Sequence, residues 1–324
     1  MRLEFLGLDT KDLLFRDLQT LHFSQLSECR ICPRNCGVNR LEGKTGKCGS
    51  DAGYNISSIC IHKGEEPAVS GQQGICNIFF SRCNLSCLYC QNWQISSSKG
   101  EVAQKRMAPE EILSEIVSLL DKGCRAVGFV SPSHFIPHVK TIIDALRLSG
   151  YNPVFVYNTN AYDSVEQLRE LESYIDVYLP DFKYAGSEIA RQFSGVSDYP
   201  NRALLAIKEM YRQKGSTLLL DEDGQAERGL IVRHLVLPGN IENSLGVLRL
   251  LAEEISESVS LSLMAQYGPT PSVKDHPSLG RNLTREEYNT VLEEMERLGF
   301  YKGWVQELES HDHYLPDFEK DNPF

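Results

Sequence analysis

The sequence predicts an α/β protein built as a partial (β/α)6 barrel of the TIM type, preceded by a cysteine-rich N-terminal extension. Three observations point there. Six short apolar runs recur from about residue 75 onward, each followed by a helical pattern. The runs are continuously apolar rather than alternating, as expected of parallel strands covered on both faces. Polar residues gather directly after successive runs: Ser131 and Ser133, Asn158 and Asn160, Asp181 and Lys183, then Gln266. In a barrel these positions share one mouth, at the C-terminal ends of the strands. An open doubly wound sheet is the competing closure, but no Gly-x-Gly-x-x-Gly or P-loop motif follows an early strand.

The elements follow in order. Ile78-Phe79-Phe80 forms the first strand. A helix over about 108–121 opens with Pro109-Glu110-Glu111 and repeats Ile112, Leu113, Ile116, Val117 and Leu120 at helical spacing. Strands at 126–130, 154–157 and 175–179 alternate with helices at about 137–148 and 163–172. Short helices reach about 214. A strand over 230–237 closes with Pro238-Gly239, and a helix over 243–255, a strand over 260–265 and a helix over 284–298 complete the repeat. Right-handed crossovers between parallel strands are the expected connection. The resulting division is 1–74 for the extension, 75–299 for the barrel, and 300–324 for an extra strand at Trp304-Val305 with a polar tail.

Composition narrows the function. The 324 residues are 41% hydrophobic, enough for a large core, and carry a formal charge of −11. That charge argues against a nucleic-acid partner. The N-terminus lacks a signal-peptide pattern, and no run approaches the roughly 18 apolar residues of a membrane span, so a cytoplasmic location without membrane contact is expected. Ten cysteines are present, nine of them within the first 90 residues. In a reducing compartment these are metal or redox ligands rather than disulfides.

Directly after the first strand comes Cys83-x3-Cys87-x2-Cys90. Three thiolates in one short loop can hold three irons of a [4Fe–4S] cubane and leave the fourth open to an exogenous ligand. A partial zinc site or three reduced core cysteines are the plain alternatives; structural zinc wants four protein ligands. A second set, Cys29-x2-Cys32-x3-Cys36-x11-Cys48, sits among Pro33, Gly43, Gly46 and Gly49. It suits a structural zinc or a second [4Fe–4S] cluster, with the Cys-x3-Cys step leaning toward iron–sulfur; a metal bound only transiently and free thiols in a loop are the other readings.

The three-cysteine loop and its neighbouring words, CPRNCGVNR, HKGEEPAVSG, CNLSCLYCQNWQIS, VYNTNAY, YLPDFKY, EMYRQKG and GLIVRHLVLPG, run in order from about residue 29 to about 270. Together they resemble the radical SAM superfamily, and within it the pyruvate formate-lyase activating enzyme homologues. The resemblance implies a [4Fe–4S] cluster on Cys83, Cys87 and Cys90 that binds S-adenosylmethionine (SAM) and cleaves it reductively to a 5′-deoxyadenosyl radical. It implies hydrogen abstraction from substrate, in activases a glycine of a partner protein, and a low-potential electron donor such as flavodoxin or ferredoxin. Tyr89 matches a position that packs near adenine. Asp181 and Lys183 resemble a pair near SAM, with an ordinary ion pair as the alternative. Arg233 resembles a basic residue near the SAM carboxylate, with a buried structural salt bridge as the alternative. Many activases carry a Gly-Gly-Glu strand end that grips the SAM amino group; here Ser131-Pro132-Ser133-His134 stands instead, so the hydroxyls of Ser131 and Ser133 are the candidates for that contact, with Asn158 and Asn160 as further candidate cofactor-binding residues.

The competing function is an iron–sulfur electron carrier or zinc protein on a barrel scaffold, with Cys60 or Cys76 as a capping ligand. Weaker signals read structurally: Gly64-Glu65-Glu66-Pro67 with His62 as a turn over the cluster mouth, Cys76 as a buried small residue, Trp93 as packing, and His311-Asp312-His313 as a solvated tail.

Overall fold

The structure is a computed structural model that describes residues 8–308, 315–320 and 322–324, with side chains from residue 15. The triplet His311-Asp312-His313 lies outside the described residues. The described residues form ten strands: β1 (Tyr54–His62), β2 (Ile75–Phe80), β3 (Lys105–Met107), β4 (Ala126–Val130), β5 (Val154–Thr159), β6 (Val177–Pro180), β7 (Leu219–Leu220), β8 (Ala226–Leu235), β9 (Ser260–Met264) and β10 (Gly303–Val305). They pair in the order β10-β9-β8-β6-β5-β4-β2-β1-β3, with β7 beside β8. Every neighbouring pair from β2 to β10 along that path is parallel. The six strands expected of the partial barrel are all there, and the strand at Trp304-Val305 extends the parallel array as β10.

Three strands were not legible in the sequence: β1, β3 and the two-residue β7. β1 pairs antiparallel with β2, from Ile56 opposite Phe80 to His62 opposite Ile75, and β3 pairs antiparallel with β1. Since β1 lies in the cysteine-rich segment, the sheet continues past residue 75 toward the N-terminus. Its sequence, YNISSICIH, mixes serines into both faces and carries a register shift between Ile56 and Ser58, which blurs the two-residue period a strand normally shows.

Helices separate the parallel strands. Pro109–Leu120 starts at a proline suited to the first helical turn and buries Ile112, Leu113 and Ile116. Ile136–Leu148 is more deeply covered, with Leu8–His22 packed outside it and His22 Nε2 at 2.7 Å from Asp144. Arg285–Arg297 opens with a capping box between Thr284 and Glu287. In the barrel core, Phe80, Phe129 and Phe155 stack across β2, β4 and β5 at centroid separations of 6.4 Å. No helix among the described residues is long and apolar enough to cross a membrane.

One close approach ties this frame to the strand ends. Gly128 on β4 stands opposite Asn77 on β2, and a Cβ at Gly128 would lie 2.0 Å from Asn77 Oδ1. That space lets the Asn77 amide donate to Glu65 Oε1 at 2.8 Å. Gly128→Ala is expected to destabilise the fold by about 1–3 kcal/mol through this overpacking, read as a lowered melting temperature. An unchanged melt would show that Asn77 has another place to go.

Candidate active site

The C-terminal ends of all the parallel strands open into one cavity of about 680 Å3. The loop after β2 brings Cys83, Cys87, Tyr89 and Cys90. β4 brings Ser131, β5 brings Asn158, Thr159 and Asn160, β6 brings Asp181 and Lys183, β8 brings Arg233, and the ends of β9 and β10 bring Gln266 and Gln306. Parallel pairing puts these ends on one face, and each polar residue sits where its strand stops.

The cysteine loop is held from several sides. Positive φ angles at Arg82 and Ser86 (66° and 59°) turn it sharply. Leu88 N donates to Phe193 O at 2.8 Å, fixing the loop to the helix Ser187–Ser194. The sulfurs accept hydrogen bonds: Cys83 Sγ from Asn160 Nδ2 at 3.3 Å and from Leu85 N at 3.4 Å, and Cys87 Sγ from Ser194 Oγ at 3.0 Å. Burial pushes the Cys87 thiol up against the pull of nearby Lys183, and pushes Cys90 to about 12. Free thiols here would therefore stay protonated near neutral pH, whereas the hydrogen-bond donors around the sulfurs suit thiolates bound to metal. On donor chemistry the three cysteines fit a [4Fe–4S] cluster. Tyr89, 5% exposed, sits among Tyr184, Phe193 and Tyr267 at 6.2–6.3 Å between centroids.

Asn160 serves the loop itself. Besides Cys83 it donates to Asn84 Oδ1 at 2.9 Å, while its own oxygen accepts from Tyr162 N. Lys183 Nζ lies 2.6 Å from Asp181 Oδ2. Burial would lower the lysine, but Asp181 and Cys87 outweigh it and hold the ammonium above its ordinary value. Tyr199 Oη joins these strand ends, accepting from Lys183 N and reaching the carbonyls of Asn160 and Asp181 at 3.0 and 2.7 Å.

Arg233 faces the cavity, and its Nε and Nη2 are turned to two carboxylates. It binds Glu66 through Nε at 2.8 Å and through Nη2 at 2.5 Å, and Nη2 also binds Glu65. Glu65 in turn accepts from Asn77 and, at 3.4 Å, from Asn158. The segment Gly64-Glu65-Glu66-Pro67, expected only as a turn, thus supplies the counter-charges of β8. No signal in the sequence pairs these acids with an arginine 167 positions away.

Two expectations are corrected. Ser133 does not reach the cavity: Ser131 adopts a left-handed conformation (φ 54°), and Ser133 turns back into the core to bond Thr159 Oγ1 at 3.1 Å. Trp93, expected to pack, is 43% exposed. The suggested capping cysteines stand elsewhere: Cys76 is buried in β2 and Cys60 in β1, and neither lines the cavity.

The four N-terminal cysteines, Cys29, Cys32, Cys36 and Cys48, line a second, small cavity together with Arg34, Arg40 and His134. Among the described residues, no three Cys, His, Asp or Glu side chains are drawn close enough to share a single metal ion. Burial pushes Cys32 to about 12 and raises Cys48. His134 is pushed down to about 3, by burial first and Arg40 second.

The Glu65–Glu66–Arg233 cluster generates a stability prediction. Arg233→Met leaves two buried carboxylates without their cation and is expected to cost about 3–5 kcal/mol, much of it recovered by adding Glu65→Gln and Glu66→Gln. The pH dependence has a defined sign. Burial alone would raise Glu65, but Arg233 and His62 prevail and hold it at about 2, below its ordinary 4.5. Its contribution is complete above about 4.5 and is lost as pH falls toward 2. Melting curves across that window should fall less for the Arg233→Met variant than for the wild type; equal slopes would remove the cluster as their cause.

Comparison with known proteins agrees with this site. The profile of the Radical SAM superfamily matches residues 77–221. An uncharacterized protein of Methanocaldococcus jannaschii is 30% identical over 273 residues, spanning 83% of this chain and 74% of that protein. A second from the same organism is 26% identical over 158 residues, spanning 44% and 46%. Among solved structures, Streptococcus suis SuiB bound to S-adenosylmethionine aligns at a TM-score of 0.48 with 13% identity, over 72% of this chain and 50% of that one, so this chain matches about half of SuiB. A domain of pyruvate-formate lyase-activating enzyme from Bacteroides vulgatus aligns at 0.38 with 14% identity, over 53% of this chain and 93% of that domain. The chain belongs to the radical SAM superfamily.

Proposed function

We propose that this protein cleaves SAM reductively at a [4Fe–4S] cluster held by Cys83, Cys87 and Cys90, and uses the resulting radical to abstract hydrogen from a substrate. The observation that carries the reading is the opening of the three-cysteine loop into a cavity built from every parallel strand end. When bound, the cluster and SAM supply one-electron cleavage of the sulfonium bond to methionine and a 5′-deoxyadenosyl radical; the protein positions them and excludes water.

The chain's own residues divide that work. Asn160 and Ser194 orient the sulfurs of Cys83 and Cys87. Lys183, fixed by Asp181, places a cation beside Cys87 and Cys90. Tyr89 offers an aromatic wall for the adenine. Asn158 and Ser131 stand at the strand ends where the SAM amino acid group belongs, and Arg233 holds its part of the wall through Glu65 and Glu66. Resemblance to the activating-enzyme homologues supports the finer reading: the hydrogen donor is a glycine of a partner protein, the electron comes from a flavodoxin or ferredoxin, and the protein works in the reducing cytoplasm. Cys29, Cys32, Cys36 and Cys48 are read as a separate metal-binding set.

The test is anaerobic. The chain is reconstituted with iron and sulfide, and SAM and dithionite are added. Formation of 5′-deoxyadenosine and methionine is expected; Cys87→Ala should abolish both, while Cys76→Ala, remote from the cavity, should retain them. Persistent cleavage in Cys87→Ala would sink the assignment. A loaded cluster that neither cleaves SAM nor changes its spectrum on SAM addition would make it an electron carrier.

A further inference from the structure

The N-terminal set contains a charge that the fold leaves without an ionic partner. Arg40 is 1% exposed. Its guanidinium donates to Asp51 O at 3.0 and 2.6 Å, to His134 O at 2.6 Å, and to Cys29 Sγ at 3.8 Å. It forms no ion pair with a carboxylate among the described residues. A buried cation whose partners are carbonyls, one sulfur and the Phe135 ring, 5.4 Å from its guanidinium carbon, is costly unless negative charge lies beside it.

The sulfurs are arranged to carry that charge. Cys36 Sγ accepts from Lys47 N at 3.3 Å and Cys29 Sγ from Arg40 Nη1 at 3.8 Å. All four cysteines line one small cavity with Arg40, so thiolates held there by a metal would place their negative charge beside the guanidinium. The loop is shaped for it: a Cβ at Gly46 would lie 2.7 Å from Cys36 Sγ, so the chain passes where only glycine fits. The set also touches the other cysteine loop directly, since Arg34 Nε donates to Asn84 O at 2.7 Å and its Nη2 to Leu85 O at 3.4 Å.

We infer that Cys29, Cys32, Cys36 and Cys48 bind metal as four thiolates, forming a dianionic centre whose buried counter-cation is Arg40. A zinc ion and a [4Fe–4S] cluster both give that charge on four thiolates. Binding of a zinc ion, or of a [4Fe–4S]2+ core already at that oxidation level, deprotonates the four thiols, releases the protons to solvent and transfers no electrons. The inference rests on the reading of these cysteines as a metal-binding set and adds to it the charge and the residue that balances it.

The experiment uses the full chain carrying Cys83→Ala, Cys87→Ala and Cys90→Ala, so that only the N-terminal set reports. After reconstitution with zinc, or anaerobically with iron and sulfide, metal content and native thiol titration are measured. About one zinc or four irons per chain is expected, with the four thiols protected, and the ratio says which metal is held. No metal with either reagent and four reactive thiols would overturn the metal-binding reading itself. Arg40→Met is then expected to speed metal loss to a chelator by at least about 10-fold, with Arg40→Lys restoring retention. In the metal-stripped, reduced chain, Arg40→Met should be neutral or stabilising, because an unpaired buried guanidinium is gone. Metal bound equally well by Arg40→Met, or a variant that destabilises stripped and loaded chains alike, would overturn the role of Arg40 while leaving the metal site standing.

Discussion

Parallel pairing is the constraint on which the rest of this structure depends. Once β2, β4, β5, β6, β8, β9 and β10 run the same way, their C-terminal ends must share a face, and residues far apart in sequence become neighbours. Cys83 and Asn160 meet because β2 and β5 end at the same level, with β4 between them. Asp181 N bonds Thr159 O, and Phe182 N bonds Arg233 O, extending the pairing just past the strands into the cavity wall. The site is therefore a direct continuation of the sheet, which gives its side chains the rigid backing that positioned chemistry requires.

The second organising feature is how charge is managed at that face. Seven ionisable side chains of Lys, Arg, Asp and Glu line the cavity: Glu65, Glu66, Asp181 and Glu307 against Lys63, Lys183 and Arg233. The acids exceed the cations by one before any cysteine is counted. Five of the seven are tied to one another, because Arg233 is clasped by Glu65 and Glu66, and Lys183 by Asp181. A wall of fixed, slightly negative character suits a cationic sulfonium ligand, while Lys183 concentrates positive potential on the side of Cys87 and Cys90. The two demands, an anionic cluster and a cationic ligand, are met by different parts of one cavity.

The sequence showed most of this frame and the centre of the site, for identifiable reasons. Continuous apolar runs such as Ala126–Val130 mark doubly covered strands, and polar residues placed directly after them mark the mouth. The Cys83-x3-Cys87-x2-Cys90 spacing is local, so it survives without a structure. What escaped was non-local. Glu65 and Glu66 lie on a turn between β1 and β2 and acquire meaning only through Arg233 on β8. Ser133 was misplaced because the left-handed Ser131 reverses the chain, a backbone choice that serine does not advertise. β1 was missed because its face pattern is broken by serines and an irregular register.

The two cysteine sets differ in a way that bears on what each can do. The barrel set has three sulfurs on a wide cavity, with Cys60 and Cys76 both turned away into the sheet. The N-terminal set has four sulfurs around a closed space, capped on one side by Arg40 and His134. With metal bound to both, the incomplete set beside room for a ligand would leave a coordination position for chemistry, whereas the four-cysteine set in its small cavity would leave none. Arg34 bridges them by donating from one loop to the backbone of the other. Any shift in the N-terminal loop is then felt at Asn84, which is also bonded by Asn160, the residue that orients Cys83. The closed set thereby braces the open one, and the stiffness of the reactive loop depends on whether the N-terminal loop is itself held together.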